Sequence, residues 1–312
     1  MSRTHAEAIL FGLALGDALG YPTEFLTLNE GIRLRYGAQG IQEPPNPALY
    51  SDDTQMTVAL TEGLLDAGFN ADLDTQMNAI AKRFIEWKHS AENNRAPGNT
   101  CMIGVRHYEE GMPWRESGVA SSKGCGSAMR VATIGYFYQH DEAMLRIVAD
   151  SSGIITHGHS AAVAASIAGA YLVKLALDGV HPDAYLGRVQ AFVGGISNDF
   201  DQAMLRLGHV LAWGSEEAAL RHLGEGWVGE EAIALAMYCV MRYPDDYVGG
   251  VRRGANTDGD SDSIACIAGG ILGARLGLDV IPLDWRQRCE HREDLIKLSV
   301  RMSAARESLM SE

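Results

Sequence analysis

The chain is short of several things, and each shortage excludes something. Five cysteines, Cys101, Cys125, Cys239, Cys266 and Cys289, are an odd number with no Cys-x-x-Cys pair. They indicate no disulfide framework and read as reduced thiols of a cytoplasmic protein. The longest apolar runs, such as Ile264–Ala274, fall short of the ~18–20 residues that span a bilayer, so no membrane partner is expected. Met1-Ser2-Arg3-Thr4-His5 leads straight into amphipathic sequence, without the basic and apolar regions of a secretory signal. Positive charge is scarce too: 26 Lys and Arg stand against 40 Asp and Glu, a net charge of −14. Proteins that grip nucleic-acid phosphates or anionic membranes are basic, so both roles are disfavoured. Aromatics make up only 7% of the 312 residues, while Gly occurs 35 times. That balance favours closely packed helices over a sheet.

What is present is helical periodicity. Ile9, Leu10, Leu13 and Ala14 set a three-four spacing in Ala6–Leu19. Further helices are predicted at Thr54–Ala67, Leu73–Lys88, Ser127–Tyr138, Glu142–Ile154, Ser160–Leu177, Asn198–Leu211, Glu230–Met241 and Asp262–Leu276. Gly269, Gly270 and Gly273 within the last of these suggest close approach to a neighbour. Tyr36–Leu49, with Pro44, Pro45 and Pro47, and Ser90–Thr100 read as loops. The charged end, Arg286–Glu312, reads as a solvated helical face. No repeat, linker or low-complexity tract divides the chain. One all-α domain over residues 1–312 is expected.

Two segments concentrate carboxylates where helices should begin. Ser51-Asp52-Asp53-Thr54 precedes one helix, and Asp258-Gly259-Asp260-Ser261-Asp262-Ser263 precedes another. Helix capping explains a single Ser or Asp, and for Asp52-Asp53 it weighs as much as any other reading. One cap cannot use three carboxylates, and crowded like charges repel unless a cation compensates them. An EF-hand fits Asp258, Asp260 and Asp262 but fails at Ser263, where Gly is needed, and at Gly269, where Glu is needed. Convergence of the two clusters on shared divalent cations remains.

The ordered segments Gly16-Asp17-Ala18-Leu19-Gly20 with Glu24, Ser51-Asp52-Asp53-Thr54, Gly124-Cys125-Gly126-Ser127-Ala128-Met129-Arg130, Thr156-His157-Gly158-His159, Gly226-Trp227-Val228 and Gly259-Asp260-Ser261-Asp262-Ser263 resemble the ADP-ribosylglycohydrolases. The resemblance covers nearly the whole chain. It implies a compact all-α orthogonal bundle with two Mg²⁺ or Mn²⁺ ions at the base of an ADP-ribose cleft. The family's ligands fall on Glu24, Ser51, Asp52, Asp53, Asp260, Asp262 and Ser263. Ser51 and Ser263 stand where relatives often carry Thr, which keeps a hydroxyl. Arg95-Ala96-Pro97-Gly98-Asn99-Thr100 lacks the carboxylate that some members carry before the Gly-Asn pair.

Hydrolysis of an ADP-ribosyl bond passes through an oxocarbenium-like transition state that needs an activated water and proton transfer. Glu24, Asp52, Asp53 and Asp262 are the catalytic candidates, with Glu24 or Asp262 handling the proton. Substrate contacts are expected from Asn99, Gly124, Cys125, Gly126, Ser127, Met129, His157 and Trp227. The Gly124–Ser127 turn offers backbone N–H groups to a diphosphate, or is simply a tight turn. Trp227 stacks on adenine or sits in the core. Arg130 is expected to pair with a carboxylate instead of a phosphate. The acceptor expected is arginine on a protein, with serine, a modified nucleobase or a free ADP-ribosyl compound as alternatives. The other classes are a catalytically silent ADP-ribose binder and a phosphoesterase. The chain is expected to be a monomer or small homo-oligomer.

Overall fold

A computed structural model describes residues 3–309, so both extremities of the predicted 1–312 domain, including Met310–Glu312 of the charged end, lie outside it. The described residues form 17 α-helices and are about 70% helical. Among the described residues no strand forms, and only three isolated bridges pair extended residues. The expectation of an all-α fold holds.

The first helix, Arg3–Gly20, packs most extensively on Ser261–Leu276. Glycine spacing explains how close they come. A Cβ on Gly12 would lie 2.4 Å from the Gly269 carbonyl oxygen, and one on Gly16 only 2.1 Å from that of Ala265. One on Gly20 would sit 2.5 Å from Asp262 Cα. Backbone thus touches backbone along this seam, as the glycines of the second helix suggested. The seam brings Asp17 and the Glu24 turn beside Asp262. Helix Asp52–Ala67 packs on Leu73–Lys88, and its N-terminus meets the same end of the seam.

The Ser160–Leu177 helix corrects one expectation about apolar runs. Its 18 residues, of mean hydropathy 1.6, are long and apolar enough by length and composition to cross a bilayer, but 83% of them are buried inside the fold. It is surrounded by Glu142–Ile154, Ala132–Phe137 and Gly229–Arg242, which marks it as a core helix.

Ser127–Tyr138 is not one helix. A 3₁₀ turn at Cys125–Ser127 is followed by irregular backbone, and the helix proper is Ala132–Phe137. The cause is Arg130, whose side chain is fully buried. Its Nη1 donates to the Gly126 carbonyl (3.0 Å), the acceptor that the Arg130 amide would use in a continuous helix. Nη2 donates to the Ser152 carbonyl and Thr156 Oγ1. The carboxylate partner expected for Arg130 is replaced by carbonyls and by the Phe84 ring, 4.6 Å from the guanidinium. The charged C-terminal stretch is also corrected: Arg292–Leu309 buries Leu295, Leu298, Met302 and Arg306.

Candidate active site

The two acidic segments meet at one cavity of about 390 Å³. At the first, capping is done by other residues. Ser51 is the N-cap and its hydroxyl accepts from the Asp53 amide. Asp17, fully buried on the first helix, accepts from the Ser51 amide (2.8 Å), the Thr54 amide (3.0 Å) and Thr54 Oγ1 (2.6 Å). With the helix end satisfied, Asp52 and Asp53 face the cavity, where Asp52 Oδ2 accepts from the Gly98 amide (3.0 Å). At the second segment Asp260 is the N-cap by position, but its side chain caps nothing. Asp262 Oδ1 accepts from the Ser263 amide and Ser263 Oγ donates to Asp53 Oδ1 at 3.2 Å, tying the two segments together.

Glu24, Asp52, Asp53, Asp260, Asp262 and Ser263 all line the cavity. Ser51 does not: it is buried behind them as the cap. Burial and mutual repulsion raise the pKa of these carboxyl groups above the usual range. Glu24 is pushed up to about 10 by burial and then by Asp262, Asp260 and Asp52. Burial raises Asp52 to about 8 and, with Asp262, Asp17 to about 7. Asp53 and Asp262 are raised well above the normal range, chiefly by burial. Asp260 and Asp262 share a hydrogen bond.

Do these residues suit a divalent cation? Two observations say yes. Glu24 Oε2 and Asp53 Oδ2 are buried acceptors without a partner, and buried acceptors are costly to leave unpaired. Among the described residues no lysine or arginine lines the cavity. The donors are oxygens of the kind that hard cations take. They are not closed into a finished cage: among the described residues, no three Asp, Glu, His or Cys groups are drawn around one point.

The same cavity carries most of the expected substrate contacts. Asn99, Gly124, Cys125, Gly126, Met129, His157 and Trp227 line the cavity. Ser127 does not, since it is buried with its hydroxyl on the Ala162 carbonyl (3.2 Å). The Gly124–Ser127 turn leads into no helix, and the Cys125 amide is taken by the Trp227 carbonyl. Its glycines have another cause. A Cβ on Gly124 would lie 2.9 Å from the His157 ring, and one on Gly126 2.6 Å from Cys101 Sγ and 3.1 Å from that ring. His157 is buried, bonded through Nδ1 to Thr156 Oγ1, and lowered to about 3 by burial and by Arg130. It is a neutral wall of the cavity. His159 instead caps the Ser160–Leu177 helix.

Trp227 is 37% exposed at the rim, outside the core, and stacks on Phe25, with ring centroids 5.2 Å apart. Phe25 is 69% exposed and holds φ at +64°. Sequence reading gave no role to Phe25, nor to Asp17 beyond its place in the Gly16–Gly20 segment. The one signal for Phe25 is a bulky apolar residue directly after Glu24 in a polar loop.

A family model described as ADP-ribosylglycohydrolase matches residues 2–311. ADP-ribosylhydrolase ARH3 of Homo sapiens is 27% identical, over 91% of this chain and 89% of its own. ADP-ribosyl-[dinitrogen reductase] glycohydrolase of Rhodospirillum rubrum is 28% identical, over 89% of this chain and 88% of its own. Among solved structures, an ADP-ribosylglycohydrolase-related protein complex superposes with a TM-score of 0.75 at 25% identity, covering 97% of this chain and 98% of that one.

Proposed function

The chain belongs to the ADP-ribosylglycohydrolase family, hydrolases of ADP-ribose glycosidic linkages, and from that premise we propose that it releases ADP-ribose from ADP-ribosyl-arginine on protein, using two Mg²⁺ or Mn²⁺ ions. The observation that carries the proposal is the convergence of Glu24, Asp52, Asp53, Asp260 and Asp262 on one cavity with two buried oxygens unpartnered. Asp52, Asp53, Asp260, Asp262, Glu24 and Ser263 would hold the ions, and Ser51 would support them as the cap behind. When bound, such ions supply Lewis acidity toward water and hydroxyl groups and offset the repulsion among the carboxylates.

The remaining work falls to this chain's own side chains. Glu24 reaches the cavity from the loop after the first helix with Oε2 free, so it can pass a proton to or from the reacting groups; Asp262 is the alternate carrier. His157, kept neutral, offers Nε2 beside Gly124 without adding charge. Asn99 and Thr100 supply polar edges to the substrate's hydroxyls. The acceptor assignment rests on the rim. Phe25 and Trp227 present an aromatic surface, and Glu225, bonded to Trp227 Nε1 at 3.1 Å, puts a carboxylate beside it. A planar guanidinium suits both, by cation–π contact and by hydrogen bonds. The acidity that excludes basic-protein functions therefore has a local use at both base and rim.

The test is a panel of ADP-ribosyl-arginine, -serine and nucleic-acid conjugates assayed with Mg²⁺ and with Mn²⁺. ADP-ribose released fastest from the arginine conjugate, and none after EDTA, is the expected result. Preference for another conjugate overturns the acceptor assignment. ADP-ribose binding without any release makes the chain a silent binder, and free phosphate makes it a phosphoesterase.

A further inference from the structure

One group at the acidic cluster is not an oxygen. Cys125 lines the same cavity, half-buried, and its thiol donates to Asp260 Oδ2 at 2.8 Å. Ser263 Oγ lies 3.7 Å from the sulfur on one side and donates to Asp53 Oδ1 on the other. Asp53 is 2% exposed, and its Oδ2, in the cavity wall, has no partner. Sulfur, carboxylate, hydroxyl and an orphaned carboxylate oxygen therefore follow one another along a single wall. Cys101 also reaches the cavity, but its sulfur is engaged by Arg130 Nη1. The other three thiols are buried elsewhere.

We propose that Cys125 is a sulfur ligand of this cluster, so that the site accepts a thiophilic divalent cation, Zn²⁺, Cd²⁺ or Co²⁺, in competition with the hard ion. The inference rests on the reading that these carboxylates hold a divalent cation, and adds a donor to it. Thiolate selects softer metals, and Zn²⁺ outbinds Mn²⁺ at most mixed sites. Binding breaks the S–H bond and forms a sulfur–metal bond, and one proton is released to solvent. Asp260, no longer accepting from the thiol, is freed to ligate beside it. The consequence is a hydrolase inhibited by thiophilic ions through a residue that plays no part in its proton transfers.

The experiment titrates the EDTA-stripped full chain with Cd²⁺ or Co²⁺ alone and follows thiolate-to-metal charge-transfer absorption. Wild type should show the band of one thiolate. C125S and C125A should lose it, with Cd²⁺ affinity lowered at least ~10-fold and Mn²⁺ affinity nearly unchanged. Alkylation of Cys125 in wild type, mapped by mass spectrometry, should be blocked by Cd²⁺; this arm needs no variant to fold. Cd²⁺ or Co²⁺ binding without a charge-transfer band, a band unchanged in C125S, or alkylation indifferent to Cd²⁺ overturns the assignment of Cys125. Failure of both Mn²⁺ and Cd²⁺ to bind overturns the cation reading beneath it.

Discussion

The seam between Arg3–Gly20 and Ser261–Leu276 links packing to chemistry, and a pair of glycine substitutions separates its role from general helix effects. In Gly16→Ala the new methyl would lie 2.1 Å from the Ala265 carbonyl oxygen and 2.7 Å from its carbon. Ordinary contact needs ~3.5 Å, so the helices must part by more than about 1 Å, and both obstacles are backbone. Overpacking of this kind costs ~1–3 kcal/mol. With an unfolding entropy of ~2 cal/mol/K per residue, Tm should fall by roughly 2–5 °C. Activity should suffer more. Asp262, proposed above as a metal ligand and proton carrier, lies three residues from the contact, and a displacement of about 1 Å in such a group costs ~100-fold. Gly270→Ala is the control, because its methyl meets only Ala132 Cβ and Leu13 Cβ, both at 3.5 Å. There alanine's helix propensity adds ~0.5–1 kcal/mol, so Tm should hold or rise and hydrolysis should be unchanged. The assay is a thermal melt and an ADP-ribose release rate on both variants. Wild-type behaviour in Gly16→Ala, or equal damage from Gly270→Ala, would refute the reasoning.

Two other outcomes follow from the site. The double substitution Asp52→Asn and Asp53→Asn should bring ADP-ribose release below detection. Without added cation it should melt at or above the wild-type temperature, because two repelling acids are gone; full activity would end the cation reading. His157 sets an acid limit on stability. Burial and Arg130 hold it to about 3 in the fold against 6.5 when unfolded, so the unfolded chain takes up the proton first. Its contribution is complete above pH 6.5 and drains as the pH falls toward 3, reaching a loss of roughly 2–3 kcal/mol near pH 4.5. Urea melts of His157→Asn between about pH 4 and 7 should show a shallower acid slope than wild type, and an equal slope would assign the acid limit to other groups.

How much of this was legible beforehand depended on where each signal lay. Glu142–Ile154 and Ser160–Leu177 match their predicted limits, because apolar spacing and a polar cap are local properties. Tyr247–Ala255 was not seen: it is nine residues long and carries Gly249, Gly250 and Gly254, which read as a loop until packing on Ser261–Leu276 is known. Asp52 and Asp53 stood out as a pair, but only the fold shows that Asp17 and Ser51 do the capping and leave them free. The Gly124–Ser127 turn read as a phosphate cradle or a tight turn, and only the fold shows that its glycines also leave room for the His157 imidazole, more than 30 residues further along the chain, and for the Cys101 sulfur. Arg130 invited a carboxylate partner; burial among carbonyls and an aromatic ring is a tertiary outcome that no spacing encodes. The exposed Phe25–Trp227 stack joins residues about 200 positions apart, so neither ring announced the other.

The central claim is that the five carboxylates form one divalent-cation site. Anomalous diffraction from crystals grown with Mn²⁺ tests it most directly. The account predicts manganese peaks inside the cavity, between Asp52–Asp53 on one side and Asp260–Asp262 on the other, with Glu24 in reach. A cavity without peaks at saturating Mn²⁺, or peaks confined to surface carboxylates elsewhere, would contradict it.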